Sequence, residues 1–215
     1  MFCFPRMVDL PMTSPTITSP FTLPDETLDV LFRDARSANT FSDQPVKVDD
    51  VREVFELVKY GPTMMNIQPM RLLLVEQGAG RDRLLPLMAE GNRAKTASAP
   101  VVAVVAADVD FHTSMATHFP HNPTAGDMFA GDADSRAQIA RYNTALQTGY
   151  FIVGIRAAGL HAGPVGGFDA AGIDSEFFEG TTWRTQLVVN IGHPGDNPWF
   201  DRLPRISADD AVRTV

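Results

Sequence analysis

Five short groups of residues carry the chemistry available to this chain. Arg36, Ser37 and Asn39 put a guanidinium, a hydroxyl and an amide close together. An arginine fork suits phosphate, because it makes two charge-assisted hydrogen bonds at once. Gly61-Pro62-Thr63-Met64-Met65-Asn66-Ile67-Gln68-Pro69 is bounded by prolines and holds two amide side chains, Asn66 and Gln68. It is a rigid, irregular connection whose polar groups need partners, either in its own backbone or in a ligand. Asn92 and Lys95 are spaced to set an amide and an ammonium side by side on one turn of helix. Gly163-Pro164-Val165-Gly166-Gly167 brings almost no side-chain chemistry, but Gly166 and Gly167 can present backbone N–H groups without steric obstruction. Arg202 and Arg205 bracket Leu203-Pro204, and Arg202 could reach a phosphate. Each group also has a plain reading: a solvated helix end, a cap, a tight turn, surface charge.

Other chemistries find little support. His118 and His121 have workable spacing for a metal, but Pro120 lies between them and no nearby cysteine supports the site. There is no Gly-x-Ser-x-Gly elbow, no phosphate-binding P-loop and no dinucleotide glycine fingerprint. The formal net charge of -8 argues against general nucleic-acid binding. The single cysteine, Cys3, permits no intrachain disulfide, and a reduced, cytoplasmic setting is the simplest expectation. No apolar run is long enough to span a bilayer; the strongest candidate, 101–107, reads as a strand.

These groups need elements to hold them. With 215 residues and 44% hydrophobic content, one large domain is expected over 25–215. A Pro-rich extension covers 1–24. Apolar spacing predicts a helix from residue 25 to about 39 and a second after Asp49, stopped by Gly61-Pro62. Strands are expected over 71–76, 101–107 and 184–191, and helices over 81–90 and 169–178. The longest helix runs from 135 to 158. Its apolar surface is too broad for a solvent-facing helix, and Gly149 and Gly154 would permit close crossings. Residues 108–134 read as a long irregular region of the kind that forms lids. Helices between separated strands, with few hairpin signals, favour an α+β or α/β sandwich.

Taken in order, the motifs resemble those of the FMN-dependent nitroreductase superfamily. They are Asp34-Ala35-Arg36-Ser37-Ala38-Asn39, Tyr60-Gly61-Pro62-Thr63 with Asn66-Ile67-Gln68-Pro69, Gly91-Asn92-Arg93-Ala94-Lys95, Gly163-Pro164-Val165-Gly166-Gly167-Phe168-Asp169 and Arg202-Leu203-Pro204-Arg205. The resemblance covers 25–215 and is strongest to the malonic semialdehyde reductase branch of pyrimidine catabolism. It implies a central mixed, mostly antiparallel sheet flanked by helices, in an interlocked homodimer with FMN at the interface. Arg36, Ser37, Asn39 and Arg202 would hold the phosphate and ribityl end. Asn92 and Lys95 would meet the polar edge of the flavin. Pro164, Val165, Gly166 and Gly167 would pack by the reactive ring edge. Pro62, Thr63, Met64, Asn66 and Gln68 would line the site from the partner subunit.

The resemblance further implies hydride transfer from NADPH or NADH through FMN to an acceptor. In this branch the acceptor is malonic semialdehyde, which becomes 3-hydroxypropanoate. A carboxylate substrate needs a donor, and Arg141 or the polar groups of the 108–134 region are the candidates. Two departures bear on the branch. Gly166 stands where many nitroreductases carry an acid, and Asn39 where many carry a base. Broad nitroreductase or quinone reductase activity is the alternative reading, and a noncatalytic FMN-binding protein a second.

Overall fold

The computed structural model describes residues 20–215. Cys3 and most of the Pro-rich extension lie outside the described residues. The centre is a four-stranded sheet: β1 (Met70–Val75), β2 (Val101–Asp108), β3 (His161–Val165) and β4 (Trp183–Gly192). The order across it is β1-β2-β4-β3. All three pairings are antiparallel, with Leu73 opposite Val104, Val104 opposite Val188, and Val188 opposite Val165. The mixed sheet expected from the resemblance is thus wholly antiparallel among the described residues. The predicted strands 71–76, 101–107 and 184–191 each fall within a residue or two of an observed one.

β2 is buried along its whole length because both faces of the sheet are covered. Val102, Val104, Ala106 and Val188 face a core shared with Leu84, Met88 and Ile173. Val101, Ala103, Val105, Val189 and Ile191 face the opposite core. There they meet Val51, Val54 and Val58 of α2 (Val48–Val58), and Phe151 and Ile155 of the long helix. Strand period and helix period therefore agree on where the apolar side chains go.

Local chemistry sets the helix bounds. The first helix is short: α1 (Asp25–Leu28) passes into a π-helical turn over Asp29–Arg33. The predicted helix 81–90 is corrected. α3 (Ala79–Leu84) gives way to a 3-10 turn over Leu85–Leu87, with Pro86 inside that turn. Proline cannot donate to an α-helical bond and crowds the preceding turn. Met88 is then extended and bridges to Phe168. A separate helix, α4 (Glu90–Ser98), follows and carries Asn92 and Lys95. The region after β2 contains 3-10 turns, a short α5 (Met115–His118), and a small core of its own around Phe111, Met115 and Ala125.

The long helix is α6 (Ala133–Ala157), capped by Asp132, whose carboxylate accepts from Ser135 N–H at 3.0 Å. A Cβ at Gly154 would collide with Val58, so this glycine permits a close crossing with α2, whereas Gly149 has open space. α7 (Ala170–Phe177) is capped by Asp169 in the same way, at 3.0 Å from Gly172 N–H. The chain ends in an exposed run holding a short α8 (Ala208–Ala211).

Candidate functional site

Four of the five motif groups meet along the β3 edge of the sheet. Residues 35–41 lie beside β3, where Ala38 N–H donates to Ala162 O at 3.3 Å. Gly163 makes this approach possible: a Cβ there would lie 2.5 Å from Ala38 O. Asn39 N–H donates to Pro198 O at 3.0 Å, and Arg202 Nη2 to Ala35 O at 3.3 Å, so the C-terminal segment joins the same place. From the other side, Lys95 Nζ reaches Asn39 Oδ1 at 3.5 Å. Asn92 Nδ2 donates to Gly167 O at 2.9 Å, which leaves Asn92 Oδ1 free of that bond. Ala89 N–H donates to the same carbonyl at 3.0 Å.

The residual hydrogen-bonding capacity of this cluster is considerable. Arg36 and the hydroxyl of Ser37 make no hydrogen bond or ion pair among the described residues. The backbone N–H groups of Gly166 and Gly167 also lack a hydrogen bond among the described residues, and a Cβ at Gly166 would meet nothing. This donor set, basic at one end and glycine-lined along a strand, fits an elongated ligand with an anionic end and a flat polar end.

The platform under α4 rests on a residue whose role the sequence conceals. Arg81 is almost wholly buried and donates to Thr96 O at 2.6 Å, Ala99 O at 2.8 Å and Val75 O at 2.8 Å. Burial pulls its pKa down to about 10. It ties α4, and hence Asn92 and Lys95, to the end of β1.

The fifth group sits elsewhere. The segment holding Pro62, Thr63, Met64, Asn66 and Gln68 enters β1, at the opposite edge from β3. Three interstrand spacings separate the two edges, roughly 14 Å. Among the described residues no hydrogen bond joins this loop to the β3 cluster. Its backbone is unusual, with positive φ at Met65 (48°), Asn66 (55°) and Gln68 (42°). Non-glycine residues adopt that region at a cost, so the surroundings must enforce it. Met64 N–H donates to Asn143 Oδ1 at 2.7 Å and Met70 N–H to Gln147 Oε1 at 3.0 Å, both on α6. Thr63 Oγ1 accepts from Gln68 N–H at 3.2 Å, and Asn66 Nδ2 donates to His118 O at 2.7 Å. The Asn66 amide thus fastens the loop to the region after β2. In the sequence, Asn143 and Gln147 were visible only as amides four residues apart in a helix of mixed polarity.

Arg141 is exposed on α6 and has no hydrogen bond or ion pair among the described residues. Also among the described residues, no group of acidic, histidine or cysteine side chains is arranged to hold a metal, and no helix is long and apolar enough to cross a membrane.

Comparison with known proteins agrees with this architecture. The model of the nitroreductase family matches residues 32–193. A Streptomyces griseus protein provisionally named NADH dehydrogenase/NAD(P)H nitroreductase is 51% identical over 187 residues, covering 87% of this chain and 95% of that one. A Leptothrix cholodnii protein with the same provisional name is 47% identical over 188 residues, covering 87% and 95%. Among solved structures, a provisionally named nitroreductase of Exiguobacterium sibiricum, in complex with FMN, superposes with a TM-score of 0.78. That likeness covers 88% of this chain and 97% of the other at 16% identity, and so speaks to the fold. On its motifs, its sheet and the length of these matches, this chain belongs to the nitroreductase family.

Proposed function

We propose that this chain is an NAD(P)H-dependent flavin oxidoreductase that holds FMN along the β3 edge and passes reducing equivalents from a nicotinamide to a small acceptor. The observation that carries this reading is the convergence of Arg36, Asn39, Asn92, Lys95 and the unbonded N–H groups of Gly166 and Gly167 on one strand edge. The names of the curated relatives support the nicotinamide donor, and the FMN-bound neighbour supports the cofactor.

When bound, FMN supplies the hydride chemistry, so no nucleophile or triad is needed. The chain's own groups bind and orient. Arg36, Ser37 and Arg202 hold the phosphate end. Lys95 and the free oxygen of Asn92 meet the polar edge of the ring. Gly166 and Gly167 offer N–H donors where negative charge develops. Fixed donors of this kind favour the reduced state without reorganising.

A second copy of the chain completes the site by supplying the Thr63–Gln68 loop. Two observations support this. The loop and the β3 cluster occupy opposite sheet edges within one chain. Tyr142, Leu146 and Tyr150 also form an exposed stripe at one-turn spacing on α6, beside the exposed Leu57 and Tyr60. Beyond β4, the exposed Phe200, Leu203 and Ile206 add apolar surface that a partner would cover.

Malonic semialdehyde is the narrower reading of the acceptor. It rests on the motif resemblance and on Arg141, an unpaired cation on the same α6 surface that can meet a carboxylate. Anaerobic stopped-flow on the FMN-loaded protein tests both levels. NADPH or NADH is expected to bleach the visible flavin band, and flavin that stays oxidised with both donors overturns the oxidoreductase reading. Reoxidation faster with malonic semialdehyde than with nitroaromatics or quinones supports the narrower acceptor, and the reverse order removes it in favour of a broad nitroreductase.

A further inference from the structure

The imidazole of His118 has no part in the arrangement described so far. His118 closes α5, and its backbone oxygen accepts from Asn66 Nδ2 at 2.7 Å. Met65, next to Asn66, packs with Phe119 against the small core of Phe111 and Met115. The turn carrying His118 is therefore fixed to the Thr63–Gln68 loop twice, by a hydrogen bond and by shared apolar packing. The two ring nitrogens differ. Nδ1 is buried and has no hydrogen-bond partner among the described residues. Nε2 is not enclosed, and it too makes no hydrogen bond among the described residues.

That difference selects a tautomer of the neutral ring. A proton on Nε2 places the N–H where water or a ligand accepts it, and leaves only a lone pair buried. A proton on Nδ1 would bury an N–H with no acceptor, which folded proteins avoid more strictly. Donors are scarce on this side of the loop. Residues 108–134 contain no lysine or arginine. Arg136, at the base of the region, has every nitrogen of its fork bonded, to Asp110 and to the carbonyls of Val109, Phe129 and Ala130. Of the other imidazoles, His121 is exposed and stacks on Phe119 at 3.8 Å, and His112 packs on Phe111. Among the described residues, neither bonds to the loop.

We propose that the Nε2–H of His118 is the hydrogen-bond donor to the acceptor oxygen on which negative charge develops as hydride is delivered. The proposal rests on the flavin reading above, which puts the Thr63–Gln68 loop at the site. Hydride adds to the carbonyl carbon of an aldehyde acceptor, and the C=O π pair moves to oxygen. The Nε2–H holds that oxygen, and water then supplies the proton and leaves hydroxide to the solvent. A neutral imidazole fixed in the right tautomer does this without first gaining a proton. Asn66 is the positioning residue, because its amide sets the turn against the loop.

Nitrogen NMR of the histidine rings and anaerobic stopped-flow on the FMN-loaded protein test this. The NMR spectrum, assigned by loss of a signal in His118→Gln, is expected to show a protonated Nε2 and a bare Nδ1. For stopped-flow the flavin is reduced with dithionite, so the nicotinamide step does not enter. His118→Ala is expected to slow reoxidation by malonic semialdehyde, a quinone or a nitroaromatic at least ten-fold. Reoxidation by ferricyanide, which takes single electrons and no hydride, should stay within two-fold. His118→Gln, whose amide nitrogen reaches the place of Nε2, should recover most of the rate. His118→Asn, whose amide nitrogen stands at the place of Nδ1, should not. An Nδ1–H tautomer, wild-type rates in His118→Ala, or loss in parallel with ferricyanide in all three variants overturns the proposal and leaves the flavin reading intact. A wild type that binds no FMN removes the flavin reading and this proposal with it.

Discussion

Gly163 shows how much one missing side chain accomplishes at this site. Its Cα faces Ala38 O and the ring of Phe41, and a Cβ would lie 2.5 Å from the first and 3.2 Å from the second. The backbone carbonyl cannot yield without moving the whole 38–41 segment. Gly163→Ala is therefore expected to lower stability by about 1–3 kcal/mol and to weaken FMN binding, read by thermal unfolding and flavin titration. Gly167 makes a useful contrast. A Cβ there would lie 2.7 Å from Asn92 Nδ2, the mobile end of a side chain. Gly167→Ala should cost less stability than Gly163→Ala but still displace Asn92 from the ligand. Equal unfolding temperatures for the two variants would contradict this account. The spacing Gly-Pro-x-Gly-Gly was legible as a place for close approach. What approaches each glycine was not, because residue 38 and residue 92 are remote in sequence.

The loop entering β1 is an element shaped by another element. Its prolines announced rigidity, but three left-handed residues could not be read from Met65, Asn66 and Gln68 themselves. That conformation depends on α6, whose Asn143 accepts from the loop's Met64 N–H while Gln147 accepts from Met70 N–H at the start of β1. Asn143→Ala leaves the Met64 N–H without its partner in a part-buried position, at a cost of about 1–3 kcal/mol. Amide exchange at residues 64–68 should accelerate in this variant while the β2 strand remains protected; unchanged exchange at 64–68 would show that Asn143 does not hold the loop. Helix bounds show the same division. The sequence placed helix starts near 135 and 169, and the structure shows the caps responsible, Asp132 and Asp169. The break at Pro86 was also visible in principle, yet the apolar spacing of Leu84, Leu85, Leu87 and Met88 suggested a continuous helix.

At the scale of the whole molecule, the open question is what covers the α6 stripe. Leu146→Glu would set a charge amid Tyr142 and Tyr150, and it points away from both cores. On the proposed two-chain site, the expected result is a shift from dimer to monomer relative to wild type in sedimentation velocity, with FMN affinity lost and secondary structure kept. A variant that stays dimeric and yellow would count against α6 as the contact surface. The sequence by itself determined three of the four strands, the long helix and the residue types of the proposed site. Strand and helix periods are local, and β2 announced its burial on both faces by its unbroken apolar run. Tertiary structure decided which motifs are neighbours. Antiparallel pairing in the order β1-β2-β4-β3 sends the 163–167 segment to one edge and the 62–68 loop to the other. It also brings Arg156 and His161 beside Arg36. Long-range pairing arises from packing both faces of one sheet, and no local spacing encodes it.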